Sequence, residues 1–467
     1  MLQTLRNAFK VPEIRSKLLF VGLILILYRI GAVMPVPFVD SNLMNIYLEQ
    51  QGSGSFFNYM NILSGSAFGY GTLFALSVSP YITSSIVLQL LDVAFPKWFG
   101  GPTADPQEKR KKMTVWTRII TVVLAILTSW GYYAIMKTNG VLDEAGKTPL
   151  GAIVIIVCYC AGAALIMWLA EKIEEKGIGN GISLILLANI LSSAPNIVSQ
   201  FIAMIQNGFA DKDNPVLWGI VNILIAIVSV AATIAILMFV IWITGSERRI
   251  PIKYAKRVVG RKMYGGQSSN LPLKVNMSGV MPVIFASSII SLPVTLISLF
   301  SATDHKFWKY VYAIFSPLFD PSSASSEHAG HAHAGTASWL NLFYMLFLFL
   351  LILGFSYFYV TISFDPNEVA NNLQKQGGQI PGIRQGTPTA EYIKKILSKI
   401  TLMGAFFLSI IAILPPLVSW IVAMCGGSFA SIAFGGTSLL IVIGVIQETQ
   451  REIEAQLTMR NYKGFLN

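Results

Sequence analysis

From Ile400 to Gln447 the chain carries no Asp, Glu, Lys, Arg or His. As a single helix this run would be about 70 Å long at 1.5 Å per residue. A bilayer's hydrocarbon core is about 30 Å thick and is crossed by roughly 20 apolar residues. The run therefore reads as two spans, with the turn at Cys425-Gly426-Gly427. The same arithmetic along the chain places ten spans near 18–36, 73–95, 115–137, 150–170, 181–205, 216–244, 276–300, 339–363, 400–421 and 432–449. Composition agrees: 54% of the 467 residues are hydrophobic and 12% charged. Soluble chains carry about 25% charged residues. The first span reads as retained, being too long for a signal peptide and lacking a small-residue cleavage site.

Charge orients these spans. Ten crossings put both termini on one side. With those termini and the even-numbered connections go all but six of the 34 Lys and Arg. The exceptions are Lys137, Lys147, Lys212, Lys306 and Lys309 in odd-numbered connections, and Arg29 inside span one. Positive charge accumulates on the cytoplasmic side, so both termini are expected there.

Two cytoplasmic connections stand out. Loop 244–275 holds Arg248, Arg249, Lys253, Lys256, Arg257, Arg261, Lys262 and Lys274. Loop 364–399 holds Arg384, Lys394 and Lys395. Such clusters suit anionic lipid or RNA phosphates, and part of the excess is simple topogenic charge. The external loop 301–338 carries His328, His331 and His333, which read as a solvated insert or, alternatively, a metal cluster. The three Cys offer neither a disulfide framework nor zinc spacing.

Inside the spans, ionisable residues are nearly absent. Arg29, about two-thirds along span one, is either a functional charge or a snorkelling, packing one. Gln89 and Asn180 are polar residues able to hydrogen-bond across helices. Asp92 lies near the inner end of span two. Segment 56–72 is too short and too Gly-rich to span. It is either a re-entrant element buried in protein or an interfacial amphipathic piece. Val78 with Ile82, and Ile182 with Leu186, share helix faces, as ordinary packing contacts also would.

No G-x-x-x-x-G-K-[ST] phosphate loop is present, and all four His fall in the external loop. No enzyme activity, cofactor or resident metal is expected, so transport through this chain requires a separate energy source. A secondary transporter with inverted repeats is the rival class. It would place a coupling carboxylate or His at midplane, and the spans offer none.

Several motifs together resemble the SecY family, central subunits of the bacterial protein-translocation channel. Gly177-Ile178-Gly179-Asn180-Gly181-Ile182-Ser183 is similar to its fifth-span signature. Asn270-Leu271-Pro272-Leu273-Lys274-Val275-Asn276 with Gly279 resembles the approach to its seventh span. Phe364-Asp365-Pro366-Asn367-Glu368, Ala370-Asn371-Asn372-Leu373 and Pro381-Gly382-Ile383-Arg384 resemble the eighth-span exit and the loop beyond it. Gly435-Gly436-Thr437-Ser438-Leu439-Leu440-Ile441 resembles the tenth span. Ser79-Pro80-Tyr81-Ile82 and Gln89-Leu90-Leu91 resemble the second. The likeness runs in order over essentially the whole chain; the His-bearing insert near 321–338 departs from it.

The resemblance implies an all-α polytopic membrane protein. Its ten transmembrane helices form two pseudo-symmetric five-helix halves, 1–210 and 211–467, with a re-entrant plug helix in 56–72. It implies a pore ring of Val78, Ile82, Ile182, Leu186, Ile284 and Ile441, sealed by a plug containing Asn61, Ile62, Leu63, Ser64 and Gly65. A lateral gate between spans two and seven, with Gln89 and Asn180 as its polar residues, would release signal and transmembrane helices. Arg248, Arg249, Lys256, Arg257, Arg261, Lys262 and Arg384 would dock the SecA motor ATPase or the ribosome. SecE and SecG are the implied partner subunits, unfolded secretory or membrane proteins the substrates, and the bacterial plasma membrane the location.

Overall fold

The computed structural model describes residues 6, 8–50, 60–61, 63–95, 98, 106–195, 199, 202, 215–254, 257–259, 262–264, 268–301, 334–424 and 436–463. Ile62, Lys256, Arg261, most of the 301–338 loop with its His residues, and the Cys425-Gly426-Gly427 turn lie outside the described residues.

The architecture is a helical bundle. Helix α1 is Pro12–Gly31, α2 Ser41–Gln50, α3 Ser79–Ala94 and α4 Pro106–Thr138. Helix α5 is Pro149–Lys176, α6 Gly181–Ser192, α7 Pro215–Gly245 and α8 Met281–Ser301. Helix α9 is Ala334–Ser363, α10 Pro366–Lys375, α11 Thr387–Met424 and α12 Gly436–Lys463. Four described stretches are long and apolar enough to cross a membrane: Lys111–Thr138, Pro149–Lys176, Leu342–Lys375 and Thr387–Leu414.

Local chemistry sets the helix starts. Pro12, Pro80, Pro149 and Pro366 occupy first-turn positions, where a missing N–H costs nothing. Thr148, Asn180 and Asp365 cap α5, α6 and α10 by accepting backbone N–H bonds from Gly151, Ser183 and Asn367. Two expected spans are corrected at their ends. Span two begins as helix at Ser79 rather than near 73, because Pro80 fixes the first turn and Ser77 takes a positive φ of 51° just before it. Span one ends at Gly31, so Arg29 sits in its last turn, where the helix dipole favours a cation.

Among the described residues one apolar cluster joins most of the bundle's helices, and a second lies among α2, α4 and α5. Ile24 and Tyr28 of α1, Ile82 of α3, Ile166 and Ile173 of α5, and Leu186 of α6 join Ile284 of α8, Ile352 of α9, Leu408 of α11 and Ile441 of α12. The outward faces are also apolar: Met238 and Trp242 of α7 are about 70% exposed (69% and 70%). In water such a surface would aggregate; in lipid it is the expected one. Polar pairs close the connections. Lys109 meets Asp92 at 2.8 Å, so the inner-end aspartate is paired. Arg118 of α4 grips Glu171 of α5 through two bonds of 2.9 and 2.8 Å.

The basic connection after α7 is built of strands from two small sheets, one of three strands and one of two, rather than a loop. Strands β1 (Glu247–Tyr254), β2 (Arg257–Val259), β3 (Lys262–Tyr264) and β4 (Ser268–Lys274) precede α8, and β5 (Gly378–Gln379) follows α10. β1 lies between β4 and β5, antiparallel to both. Ile250, Ile252 and Leu273 bury one face against Leu373, Ile380, Ile393 and Ile396. The two basic connections therefore form a single body.

Candidate functional site

Four aliphatic residues from distant parts of the chain line one recess, and two more belong to or pack against the same apolar cluster. Val78 immediately precedes α3 and Ile82 lies in its first turn, while Leu186 is on α6, Ile284 on α8 and Ile441 on α12; these five are buried in the same cluster. Ile182 of α6 is half-buried and packs against them. Ile82, Leu186, Ile284 and Ile441 line a recess of about 30 Å³, and Met60 and Leu63 line it as well. Its polar lining is Ser77, Ser79, Ser287 and Ser288, with no ionisable side chain. A narrow aliphatic constriction of this kind resists wetting.

Beside this recess residues 60–61 and 63–72 fold back against the bundle as a short helical piece followed by turns. Asn61 Oδ1 accepts from Gly69 N at 2.8 Å, and Ser64 Oγ accepts from Phe68 N at 2.9 Å. These bonds close the stretch on itself. Its backbone is held from outside by three helices. Tyr132 of α4 donates to Phe68 O, Tyr159 of α5 donates to Gly71 O at 3.1 Å, and Asn189 of α6 donates to Leu63 O at 2.8 Å. Gly65 has φ of +65°, in the left-handed region that favours glycine. Four of the five residues expected in the plug, Asn61, Leu63, Ser64 and Gly65, thus belong to one hydrogen-bonded cap.

Helix α8 packs against both α3 and α4. The expected seam between spans two and seven is present as a contact, and α4 is added to it. Among the described residues Gln89 and Asn180 make no hydrogen bond across that seam. Gln89 Nε2 donates to Ser85 Oγ at 3.2 Å on its own helix. Asn180 Oδ1 accepts from Ser183 N at 3.2 Å as the α6 cap.

Arg248 and Arg249 are exposed on β1, and Arg249 pairs with Glu247 at 2.7 Å. Arg257 faces Tyr264 and Lys262 faces Val259 in the β2–β3 register. Arg384 is exposed on a turn between Gly382 (φ +85°) and Gly386 (φ +92°), and Thr389 Oγ1 donates to its carbonyl at 2.7 Å. Burial pushes the Lys274 ammonium below its usual pKa; nearby Arg451 acts the same way and Glu247 opposes it. Sequence reasoning missed Tyr132, Tyr159, Ser77 and Asn189. The available signal for the last was one amide inside the otherwise apolar stretch Leu184–Leu191.

The SecY family profile matches residues 72–450. The protein translocase subunit SecY of Streptomyces coelicolor is 38% identical over 478 residues, covering 100% of both chains. A solved protein-conducting channel superposes with a TM-score of 0.61 at 19% identity, covering 94% of this chain and 91% of that one. Sec61 in the canine ribosome-channel complex from the endoplasmic reticulum superposes with a TM-score of 0.57 at 19% identity, again over 94% and 91%. These two share the fold. With the family profile spanning most of the sequence and a full-length relative above 30% identity, the chain belongs to the SecY family.

Proposed function

We propose that this protein is the central subunit of a protein-translocation channel in the bacterial plasma membrane, with both termini cytoplasmic. Unfolded secretory chains pass between two halves, 1–210 and 211–467, through the constriction made by Val78, Ile82, Ile182, Leu186, Ile284 and Ile441. The carrying observation is that these six side chains, drawn from four separate parts of the chain, pack in one cluster beside Leu63. The role follows from their chemistry. Aliphatic groups exclude water and ions when nothing is present. They conform to any side chain without holding it, which a substrate of arbitrary sequence demands.

Segment 56–72 is the plug, reinforcing the seal at rest. Apolar helices leave sideways where α3 meets α8, because about 20 apolar residues gain free energy in lipid. Gln89 lies on α3, and Asn180 fixes the start of α6, which carries two ring residues; both are assigned to holding the closed state. The basic sheet and the Arg384 turn form the docking face for a SecA motor or a ribosome. Arg248, Arg249, Lys256, Arg257, Arg261 and Lys262 supply its phosphate-seeking charge. Full-length similarity to a translocase subunit and fold similarity to a ribosome-bound Sec61 channel support this reading. SecE and SecG are assigned as companion subunits on family grounds. Ion-coupled solute transport is disfavoured, since the recess lining contains no titratable group among the described residues.

The test is a site-specific photocrosslinker placed at Ile82 or Ile284 in the assembled translocase, with a secretory chain stalled in transit. Crosslinks from both positions to the stalled chain are expected. Crosslinks only to lipid would refute the proposal.

A further inference from the structure

The Leu63 carbonyl, at the end of the plug's helical piece, accepts two hydrogen bonds. Asn189 Nδ2 donates at 2.8 Å and Ser77 Oγ at 3.2 Å, and Asn189 Nδ2 also lies 3.3 Å from Ser77 Oγ. Asn189 is 0% exposed and Ser77 6%, so water does not share these bonds. Ser192 extends the set: its Oγ is 2.9 Å from Asn189 O and 3.4 Å from Gly65 O.

Their positions matter more than their number. Asn189 follows Leu186 by one helical turn on α6, so both lie on nearly the same face. Ser77 directly precedes Val78. The two donors that hold the plug are thus attached to the backbone of two constriction residues, on two different elements. Widening the constriction separates α6 from the Ser77–Val78 stretch. The two donors then cannot both reach one carbonyl, and a buried carbonyl that loses its partners is costly.

We propose that Asn189 and Ser77 form a latch that couples dilation of the aliphatic ring to release of the plug, and so set the signal strength needed to open the channel. They act as positioning residues, without touching the translocating chain. The inference rests on the channel reading. It adds to that reading a mechanical order: ring first, plug second.

The test uses the full chain with its partner subunits in cells. Export is measured for one reporter with an intact signal sequence and one whose signal carries a charge in its apolar core. Asn189→Asp keeps the shape and removes the donor. Ser77→Ala removes the other donor, and Ser77→Gly removes it while suiting the left-handed φ of 51°. The latch predicts that Asn189→Asp and Ser77→Ala each raise the ratio of defective-signal to intact-signal export about tenfold, as expected for one buried hydrogen bond. The double variant should fall short of the product, because the bond between Asn189 and Ser77 is already lost in each single variant. Ser77→Gly should be as permissive as Ser77→Ala. Parental ratios in both single variants, full multiplication in the double, or a parental ratio in Ser77→Gly would each overturn the latch. If Asn189→Asp does not assemble, the Ser77 pair decides alone. Failure of the parental chain to export the intact reporter would instead overturn the channel reading, and the latch with it.

Discussion

Arg29 lies against the backbone of Gly65: a Cβ built on that glycine would stand 2.7 Å from Arg29 Nη1. The same Cβ would be 2.7 Å from Ser192 Oγ and 3.0 Å from Asn189 Cα. Nη1 is buried and has no hydrogen-bond partner among the described residues. A cation in the last turn of α1 therefore reaches the plug by close packing against Cα, and only a residue without a side chain leaves it room.

Gly65→Ala should loosen the plug. The left-handed φ of +65° costs an alanine roughly 1–2 kcal/mol, and the contact with the Asn189 backbone cannot be relieved by a rotamer change. The closed-to-open ratio should fall about fivefold to thirtyfold. Resting ion leak through the reconstituted translocase measures this. Leak equal to the parent's would mean that the plug conformation is not set at this glycine.

Two tyrosines hold the far part of the same segment. Tyr132 donates to Phe68 O and Tyr159 to Gly71 O, while the Tyr132 ring packs on Phe68 with centroids 4.6 Å apart. Replacing either with Phe keeps the ring packing and removes only the hydroxyl. Each should cost the closed plug about 1 kcal/mol. The check is the labelling rate of a cysteine introduced at Ser66, expected to rise severalfold in Tyr132→Phe and Tyr159→Phe. Unchanged labelling in both would show that the hydroxyl bonds do not restrain the segment.

Much of this was legible in the chain. Apolar runs located the helices, because membrane-spanning length leaves little freedom. Other features were hidden for physical reasons. The sheet has a two-residue rhythm, with Ile250 and Ile252 buried between exposed Arg249, Pro251 and Lys253. Pro251 and Pro272 argue against a strand, yet each is accommodated opposite a partner, Asn270 and Arg249 respectively. The latch was hidden because Asn189 and Leu63 are 126 residues apart, and a single Asn in an apolar helix does not name its partner. Gln89 and Asn180 are able to hydrogen-bond across helices, but among the described residues each meets a group of its own helix or cap, Ser85 Oγ and Ser183 N.

Asn180 nevertheless has a consequence at the constriction. It caps α6 two residues before Ile182 and six before Leu186. Asn180→Leu removes the cap at a cost of about 1 kcal/mol and frays the turn that carries Ile182. Export of defective-signal reporters should increase relative to intact ones, whereas Asn180→Asp, which still caps, should behave like the parent. Equal stringency in Asn180→Leu and the parent would remove Asn180 from the gate.

The docking role of Arg384 is separable from the sheet that supports it. Its side chain is exposed, and its turn is fixed by backbone features: two positive-φ glycines and the Thr389 bond to its carbonyl. Reversing the charge touches none of these, so Arg384→Glu should leave the fold intact and abolish motor-driven export. Ile252→Asp is the contrasting case. It puts a carboxylate into a side-chain site that is 3% exposed in the core shared by β1 and α11. Losing an isoleucine there costs about 2–5 kcal/mol before the charge is counted. The body carrying both basic connections should open, and trypsin should cut within it rapidly. Proteolysis as slow as the parent's together with lost export is the expected result for Arg384→Glu. Export at the parental rate would remove Arg384 from the docking face, and rapid proteolysis would assign its effect to folding.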